Sequence, residues 1–270
     1  MPNRTLERAV LEHRGAVVDY EPEVRRGEDA EAVHKQRVAS RRLRSLLRTA
    51  RPRLDDPERS EELRDELRWL GNALGEVRDR DVLIAYLENE LATLEEASAF
   101  RSVLKVLDGE REKARDKLVV ALDSPRYQRL LTELETPPAL KNGGLRAAAV
   151  KEHKRLRKAV KKLGDEPSDE ELHKVRIRAK RARYAAEAVG AHKRYVNRAK
   201  DLQDVLGEHQ DAAVAEKRIR RLLSQVRPSR RTAVAAGRLI ERQQARMAAA
   251  RRDWPKAWKR LDRAGDAEWR

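Results

Sequence analysis

One seventeen-residue pattern occurs twice in this chain, and the repeat restricts the folds that are open to it. Residues 31–47 read EAVHKQRVASRRLRSLL, and residues 170–186 read EELHKVRIRAKRARYAA. At an offset of 139 residues, the two segments share a glutamate, a histidine, a lysine and three arginines. A repeat of this kind predicts two copies of one supersecondary unit.

A second, shorter pattern follows each copy in the same order. Residues 70–79 read LGNALGEVRD, and residues 202–211 read LQDVLGEHQD. Between the copies lies a stretch that is rich in proline and glycine, which is typical of a linker. Each repeat has the length of about four helices. The predicted organisation is a single domain, 1–270, made of a first repeat at about 1–136, the linker 137–143, and a second repeat at about 144–270.

Apolar residues recur with a helical period along most of the chain, and no run of residues alternates in the manner of a β-strand. Aromatic residues make up only 4% of the chain, so the core must be built mainly from Leu, Ala, Val and Ile. Ser168 and Glu171 have the spacing of a capping box, which predicts that a helix begins there. The fold class is therefore predicted to be all-α, with helices at about 4–20, 28–51, 57–90, 94–122, 126–135, 145–163, 169–189, 192–223, 229–252 and 254–263.

The chain has 62 Lys and Arg against 46 Asp and Glu, which gives a formal net charge of +16. A basic excess bears on partners and not on fold. It favours nucleic acid, an anionic membrane surface or a phosphate polymer. No stretch has the apolar length of a membrane span, and the first residues lack the apolar core of a signal peptide. We therefore expect a cytoplasmic protein without a membrane span.

Each long repeat predicts an amphipathic helix with a row of cations along one face. In the first copy the apolar side of this helix contains Ala32, Ala39, Leu43, Leu46, Leu47 and Ala50. The nearly opposite side contains His34, Arg37, Arg41, Arg44 and Arg48. The second copy repeats the row with His173, Arg176, Lys180 and Arg183, and the rows are flanked by Lys35, Arg42, Lys174 and Arg181. Neighbours in a row are about 5–6 Å apart along the axis, which suits a linear polyanion better than a single phosphate.

A single basic helix face is more often a solvated surface than a binding site. The recurrence of histidine, lysine and arginine in one order favours binding, because solvation does not require a histidine at a fixed position. Arginine can grip two oxygens of a phosphate at once. Histidine can donate a hydrogen bond while neutral and can gain a proton beside a phosphate. The two rows therefore predict a site for a phosphate polymer.

These patterns resemble those of the CHAD family, the conserved-histidine α-helical domain. Residues 33–44 read VHKQRVASRRLR, which is similar to the hallmark V-H-x-x-R-V-x-x-R-R-L-R. Residues 172–184 read LHKVRIRAKRARY, which is similar to the second hallmark, L-H-x-x-R-I-x-x-K-R-x-R-Y. The element L-G-x-x-R-D-x-D-V is present at 74–82, and its partner L-G-x-x-x-D is present at 206–211. The resemblance covers essentially the whole chain.

The resemblance implies two four-helix bundles related by pseudo-twofold symmetry, with a basic channel between them that binds inorganic polyphosphate. The polyphosphate ligands that it implies are His34, Lys35, Arg37, Arg41, Arg42, Arg44, His173, Lys174, Arg176, Lys180, Arg181 and Arg183. Arg78 is a further candidate, although Gln210 stands at the matching position of the second copy. Asp79 and Asp211 are assigned to structure, where each would neutralise a neighbouring arginine. A basic run with Lys154, Arg155 and Lys158 either extends the channel or is a solvated helix.

Nothing in the sequence predicts an active site. The chain contains no cysteine, which excludes thiolate metal sites and cysteine nucleophiles. Its six histidines lack the spacing of metal ligands. No phosphate-binding loop, nucleophile elbow or dinucleotide-binding glycine motif is present. We therefore predict that the protein is not an enzyme and has no catalytic residue, metal or cofactor.

The function predicted from these observations is non-catalytic binding of inorganic polyphosphate, in the cytoplasm and on polyphosphate granules. Two alternatives stay open. The first is a basic helical protein that binds nucleic acid, which the net charge favours although no nucleic-acid-binding motif is present. The second is a granule-associated scaffold that docks an acidic protein through its basic face.

Overall fold

The computed structural model describes residues 2–139 and 145–269, with side chains from residue 6 onward. These residues form helices and no β-strand, so the predicted all-α class is confirmed. Part of the predicted linker, 140–143, lies outside the described residues. The helices are α1 (Pro2–Asp19), α2 (Glu21–Arg26), α3 (Ala30–Ala50), α4 (Pro57–Leu91), α5 (Arg101–Asp123), α6 (Pro125–Glu133), α7 (Arg146–Val160), α8 (Asp169–Ala188), α9 (Lys193–Ser224) and α10 (Arg230–Glu268).

The chain divides into two compact units that do not follow the two sequence repeats throughout. The first unit contains Met1–Leu87 and Leu104–Leu145, and the second unit contains Glu88–Val103 and Arg146–Arg270. The segment 88–103 therefore lies in the first repeat of the sequence but packs in the second unit. The pseudo-twofold relation and the basic channel implied by the resemblance stay predictions.

Helix α10 holds the segment 88–103 in the second unit. The Thr232 hydroxyl donates a hydrogen bond to the Ala99 carbonyl, 2.8 Å away. Further along α10, Arg238 lies 3.0 Å from a carboxylate oxygen of Glu96. The Arg242 guanidinium pairs with the Glu90 carboxylate. Because these partners are distant in the sequence, the repeat alone does not predict this packing.

In the first unit, α3 begins where the Asp29 side chain accepts a hydrogen bond from the Glu31 N–H at 2.7 Å. This cap satisfies a backbone donor that a helix start leaves unpaired. The predicted apolar face of α3 is buried, except that Leu46 is only partly buried. It shares one apolar cluster with leucines of α4 and α5, among them Leu63, Leu67, Leu70, Leu74, Leu118 and Leu122. Burial of this face directs the opposite, basic side of α3 away from the core.

In the second unit, α8 begins at the predicted capping box, which is confirmed. The Ser168 hydroxyl accepts from the Glu171 N–H at 3.3 Å, and the Glu171 carboxylate accepts from the Ser168 N–H at 2.8 Å. Helix α8 packs against α7 and α9, and α9 packs along α10. The core of this unit contains Leu156, Leu172, Val175, Leu202, Leu206 and Leu261.

Helix α10 is one continuous helix, so the predicted division into helices at 229–252 and 254–263 is wrong. Pro255 lies inside this helix, where it lacks an N–H and leaves the carbonyl four residues earlier without its usual bond. Trp254, Ala257 and Leu261 are nevertheless buried on one face that continues through the proline. Burial of this face outweighs the loss of one backbone hydrogen bond. Among the described residues, no helix combines the length and hydropathy needed to cross a bilayer.

Candidate functional site

The predicted row on α3 lies on the side of this helix that faces α4. His34, Arg37, Arg41 and Arg44 are all partly exposed, as expected for side chains at the edge of the buried face. Asp79 of α4 links the two helices, because its carboxylate lies 3.6 Å from the Arg37 guanidinium. The predicted neighbour of Asp79, an arginine that it partly neutralises, is therefore Arg37.

Arg37 also lies directly against a glycine of α4. A Cβ atom at Gly75 would be 3.2 Å from Nη2 and 3.3 Å from Nε of Arg37, which is closer than ordinary van der Waals contact. These contacts explain the glycine and the aspartate of the L-G-x-x-x-D element on α4. Its glycine leaves space for the guanidinium, and its aspartate, one turn later, attracts it. Sequence reasoning missed this role of Gly75, although the glycine recurs in the second copy.

The second unit contains the same arrangement on α8 and α9. The Arg176 guanidinium lies 3.7 Å from the Asp211 carboxylate, and a Cβ atom at Gly207 would be 3.7 Å from Arg176 Nε. Asp211 therefore also lies beside an arginine, as predicted. Here the glycine is less crowded, because 3.7 Å is an ordinary van der Waals distance. The two repeated patterns thus meet in the same way in each unit.

The repeated pattern also brings each histidine beside the residue that precedes the aspartate. In the second unit, His173 Nδ1 donates to the Gln210 side-chain oxygen at 2.6 Å. Because an amide oxygen only accepts, Nδ1 bears the proton and Nε2 is the ring nitrogen left for a ligand. In the first unit, burial and then the positive charge of Arg78 lower the pKa of His34. The two histidines therefore have different neighbours, a cation in one unit and a neutral amide in the other.

Arg44 lies among other arginines in the α3 row. It is half-buried, and its pKa is lowered first by burial and then by the positive charges of Arg68, Arg64, Arg41 and Arg37. The largest charge effects on Arg44 therefore all come from other arginines. An anion placed here would be attracted by all of them, whereas without it they repel one another.

Two members of this cluster come from α4 and were missed by sequence reasoning. Arg64 pairs with Glu61, and Arg68 lies 2.9 Å from Asp65. Such spacing of acid and base along a helix is typical of a solvated surface, and the sequence therefore held no signal that distinguished them. Only the approach of α4 to α3 brings them to Arg44.

At its C-terminal end, the row on α8 has more of its positive charge compensated by neighbouring groups than the row on α3. Arg183 Nε lies 3.1 Å from the Glu187 carboxylate, and the guanidinium carbon of Arg183 lies 4.9 Å from the centre of the Tyr184 ring. Lys180 is partly exposed on α8. The two units therefore present similar rows with unequal local charge.

The flanking residues are not brought into the row on α3. Lys35 Nζ lies 5.1 Å from the centre of the Tyr20 ring, at the end of α1. Arg42 is exposed and acts on His13 of α1, whose pKa is lowered by burial and then by Arg42. Both side chains therefore lie toward α1 and not toward α4.

The flanking residues of α8 differ from each other in exposure. Lys174 is exposed and lies 2.8 Å from the Glu170 carboxylate, while Arg181 is only partly exposed. Lys174 is therefore engaged with a carboxylate one turn earlier on its own helix.

The four proposed extensions are separated by the fold. Arg78 is close to the α3 row, since it acts on His34 and donates to the Ala30 carbonyl at 3.3 Å. Lys154 and Lys158 are exposed on α7, and Arg155 lies 2.6 Å from Glu152 on the same helix. The row on α8 instead contacts α9. The structure therefore brings Arg78 to a row but does not bring the three α7 residues to one.

The chain is similar to a known domain family and to two curated proteins. The sequence profile of the CHAD domain matches residues 8–220. The chain is 36% identical over 235 residues to uncharacterized protein MT2285 of Mycobacterium tuberculosis strain CDC 1551, and 35% identical over 235 residues to uncharacterized protein Rv2226 of strain H37Rv. Each match covers 81% of this chain and 45% of the relative, so the chain spans less than half the length of these relatives.

Two solved structures have a similar fold. PptA from Streptomyces chartreusis superposes with a TM-score of 0.81 at 24% identity, covering 95% of this chain and 99% of that one. The CHAD domain from the plant Ricinus communis superposes with a TM-score of 0.71 at 25% identity, covering 93% of this chain and 91% of that one. Together with the sequence profile and the two repeated hallmarks, these matches show that the chain belongs to the CHAD family.

Proposed function

We propose that this protein binds inorganic polyphosphate, without catalysis, through the cation rows of α3 and α8. Membership of the CHAD family supports this ligand. The observation that carries the proposal is the position of Arg44, which is half-buried and has a pKa lowered first by burial and then by the positive charges of four other arginines. A cluster of this kind favours the bound state of a multivalent anion, because the ligand replaces repulsion with attraction.

The geometry of a row suits a polymer of charge. Successive members are three or four residues apart on one helix, which is a rise of about 5–6 Å. A linear chain laid along the row would contact several guanidinium groups in turn, and each can form two parallel hydrogen bonds to phosphate oxygens. Affinity should therefore increase with polymer length until the row is filled, since linked contacts reinforce each other.

Each histidine adds a proton-dependent contact to its row. In the free protein, burial and then the positive charge of Arg78 disfavour the charged form of His34. A bound phosphate would reverse that balance and favour the imidazolium, which donates from both ring nitrogens. Binding to the α3 row should consequently take up protons near neutral pH.

The residues in the rows supply charge and hydrogen-bond donors for holding a ligand. The rows consist of histidine, lysine and arginine, and they contain no serine or threonine hydroxyl that a histidine could activate as a nucleophile. We therefore assign to the rows the retention of polyphosphate and not its cleavage. Retention of this kind would place the protein on polyphosphate granules.

Isothermal titration with polyphosphates of graded length, at two salt concentrations, tests the proposal. We expect affinity to rise with length and to fall with salt, because counterions are released from the polymer. The variant R37E/R176E, which reverses one charge in each row, should lose binding. The matched control is R53E/R227E, which reverses two exposed arginines outside the rows, one in each unit.

Equal affinities of the two double variants, both folded by circular dichroism, would show that the rows are not the binding site. Release of phosphate during incubation with pure protein would contradict the non-catalytic part of the proposal. That release should be compared between the native chain and R37E/R176E to exclude a contaminating phosphatase.

A further inference from the structure

A second basic surface lies on the second unit, away from the residues of the hallmark patterns. We call it the α7/α10 face and define it by seven exposed cations: Lys151, Lys154, Lys158, Arg252, Lys256, Lys259 and Arg263. The three lysines of α7 are spaced by three and four residues, and the four cations of α10 by four, three and four residues. Each set therefore forms a straight row on one side of its helix.

Helices α7 and α10 are antiparallel neighbours. Near the start of α7, Arg146 donates to the Glu268 carbonyl, 2.5 Å away, at the end of α10. Near the end of α7, Arg157 donates to Asp262 and Asp266, each at 2.6 Å. The start of α7 is thus linked to the last residue of α10, and the end of α7 is linked to earlier residues of α10, so the two helices run in opposite directions. Arg157 lies between the two helices.

Both rows point outward from the second unit. On α7, Ala149, His153 and Leu156 are buried, and the lysine row occupies the opposite side of the helix. On α10, Ala257 and Leu261 are buried, and the row of Arg252 to Arg263 is likewise on the opposite side. Since the two helices are neighbours and both turn their apolar sides to the same core, their cation rows share one outward face.

The cations of the α7/α10 face differ from several other arginines of α10. Earlier along that helix, Arg238 and Arg246 pair with Glu96 and Glu208, at 3.0 and 2.5 Å. Within the part of the chain that the structure describes, none of the seven side chains of the α7/α10 face forms an ion pair or a hydrogen bond. The charge of this face is therefore available to an external anion.

This surface is distinct from the predicted polyphosphate row in the same unit. Helix α8 packs between α7 and α9, and its cation row contacts α9. Helix α10 packs on α9 and is linked to α7, so α7 and α10 form the side of the unit that does not bear the α8 row. The family profile ends at residue 220, before α10 begins.

We propose that the α7/α10 face is a docking surface for double-stranded nucleic acid, bound without sequence preference. The α10 row is about 16 Å long. A duplex presents two phosphate backbones side by side, so each of the two rows can contact one backbone. Contacts to backbone phosphates alone carry no sequence information.

The same geometry disfavours other polyanions on this face. A single-stranded polymer can follow one row but leaves the other row without a partner. A membrane surface usually holds a basic helix through apolar side chains as well as charge. Among the described residues, no large apolar side chain is exposed in α7 or between residues 235 and 268 of α10. Five of the seven cations are lysines, which suits loose contact with phosphates rather than a preorganised bidentate site.

Reversal of charge on the two rows tests the proposal. The quadruple variant K154E/K158E/K256E/K259E should bind a short mixed-sequence duplex at least about tenfold more weakly, with a salt dependence reduced by about three to four phosphate contacts. The matched control is K105E/K113E/K117E/R129E, which replaces four exposed cations of the first unit and changes the net charge equally. This control should retain most of the duplex affinity.

Further comparisons separate the duplex from competing ligands and from the polyphosphate rows. The half variants K154E/K158E and K256E/K259E should each weaken duplex binding, because both rows are needed. R37E/R176E should lose polyphosphate binding and keep duplex binding. Equal duplex affinities of the two quadruple variants would overturn the proposal. The proposal would also be overturned if K154E/K158E/K256E/K259E weakened binding to anionic vesicles or to polyphosphate but not to the duplex. Failure of polyphosphate binding alone would leave the duplex result unaffected.

Discussion

The guanidinium of Arg37 lies across Gly75, with Nη2 3.2 Å from the place where a Cβ atom would be. Arg37 belongs to the first repeated pattern and Gly75 to the second, so this contact explains why the two patterns occur together. The helix that bears the cations needs a neighbour with a gap for one guanidinium and a carboxylate one turn further on. In this respect the two patterns are halves of one structural unit.

Alanine at Gly75 should reduce polyphosphate affinity more than alanine at Gly207. At Gly75 the new methyl group would push the Arg37 guanidinium aside by a few tenths of an ångström, whereas Arg176 Nε is 3.7 Å from the corresponding position. We expect about a threefold loss for Gly75→Ala, roughly 0.6 kcal/mol, and little change for Gly207→Ala. Isothermal titration measures both, and equal losses would contradict the steric explanation.

Replacement of Arg44 should affect binding and stability in opposite directions. Arg44→Gln removes a cation whose strongest charge effects come from four other arginines, so the free energy of unfolding should rise by about 0.5 kcal/mol at low salt. The same change should weaken polyphosphate binding. Urea unfolding and titration on one preparation measure the two effects.

Arg25 provides the control for that experiment, because its charge is compensated. It lies 2.7 Å from Glu21 and 2.5 Å from Asp123. Arg25→Gln should therefore lower the free energy of unfolding and leave polyphosphate affinity unchanged. A loss of stability in Arg44→Gln as large as that in Arg25→Gln would show that Arg44 serves the fold and not a ligand.

The buried His153 should make the second unit less stable in acid. Burial, and next the charge of Arg157, lower the pKa of His153 from 6.5 to about 4. Above pH 6.5 this histidine is neutral in both states and has no effect on the pH dependence. Below that pH the unfolded chain binds a proton that the folded chain does not, so stability falls until about pH 4, by about 3 kcal/mol in all.

Urea unfolding between pH 7 and pH 4 measures that loss, with His153→Gln as the comparison. The variant will change stability at pH 7 because His153 Nδ1 is 3.0 Å from the Tyr195 hydroxyl. The informative quantity is therefore the slope of stability against pH, which should be smaller in the variant. Equal slopes would show that other groups cause the acid sensitivity.

A side chain at Gly265 should destabilise the second unit. A Cβ atom there would lie 2.2 Å from Cε1 and 2.3 Å from Nε2 of His153, which is too close for any non-bonded contact. We expect Gly265→Ala to cost about 1–3 kcal/mol, as for overpacking of a core. On the same helix, Gly237 has no atom within 4 Å of such a Cβ, so Gly237→Ala should stabilise by up to about 1 kcal/mol. Thermal unfolding of the two variants checks the contrast.

The residue pattern along each helix predicts much of the fold and of the candidate site. The period of apolar residues is a local property, and it predicts which side of α3 is buried and which side bears His34, Arg37, Arg41 and Arg44. Capping at Ser168 is likewise decided within four residues. The order of the two repeated patterns is sufficient to predict the family, because each pattern is contiguous in the chain.

The features that were missed depend on how helices approach one another. Arg64 and Arg68 belong to the α3 cluster, and Lys35 and Arg42 do not, because α4 and α1 lie on different sides of α3. The segment 88–103 packs in the second unit because α10 supplies its partners. The α7/α10 face exists because two helices far apart in the chain become neighbours. A helical period specifies which side of one helix is polar, but which polar sides meet is decided by long-range packing of the cores.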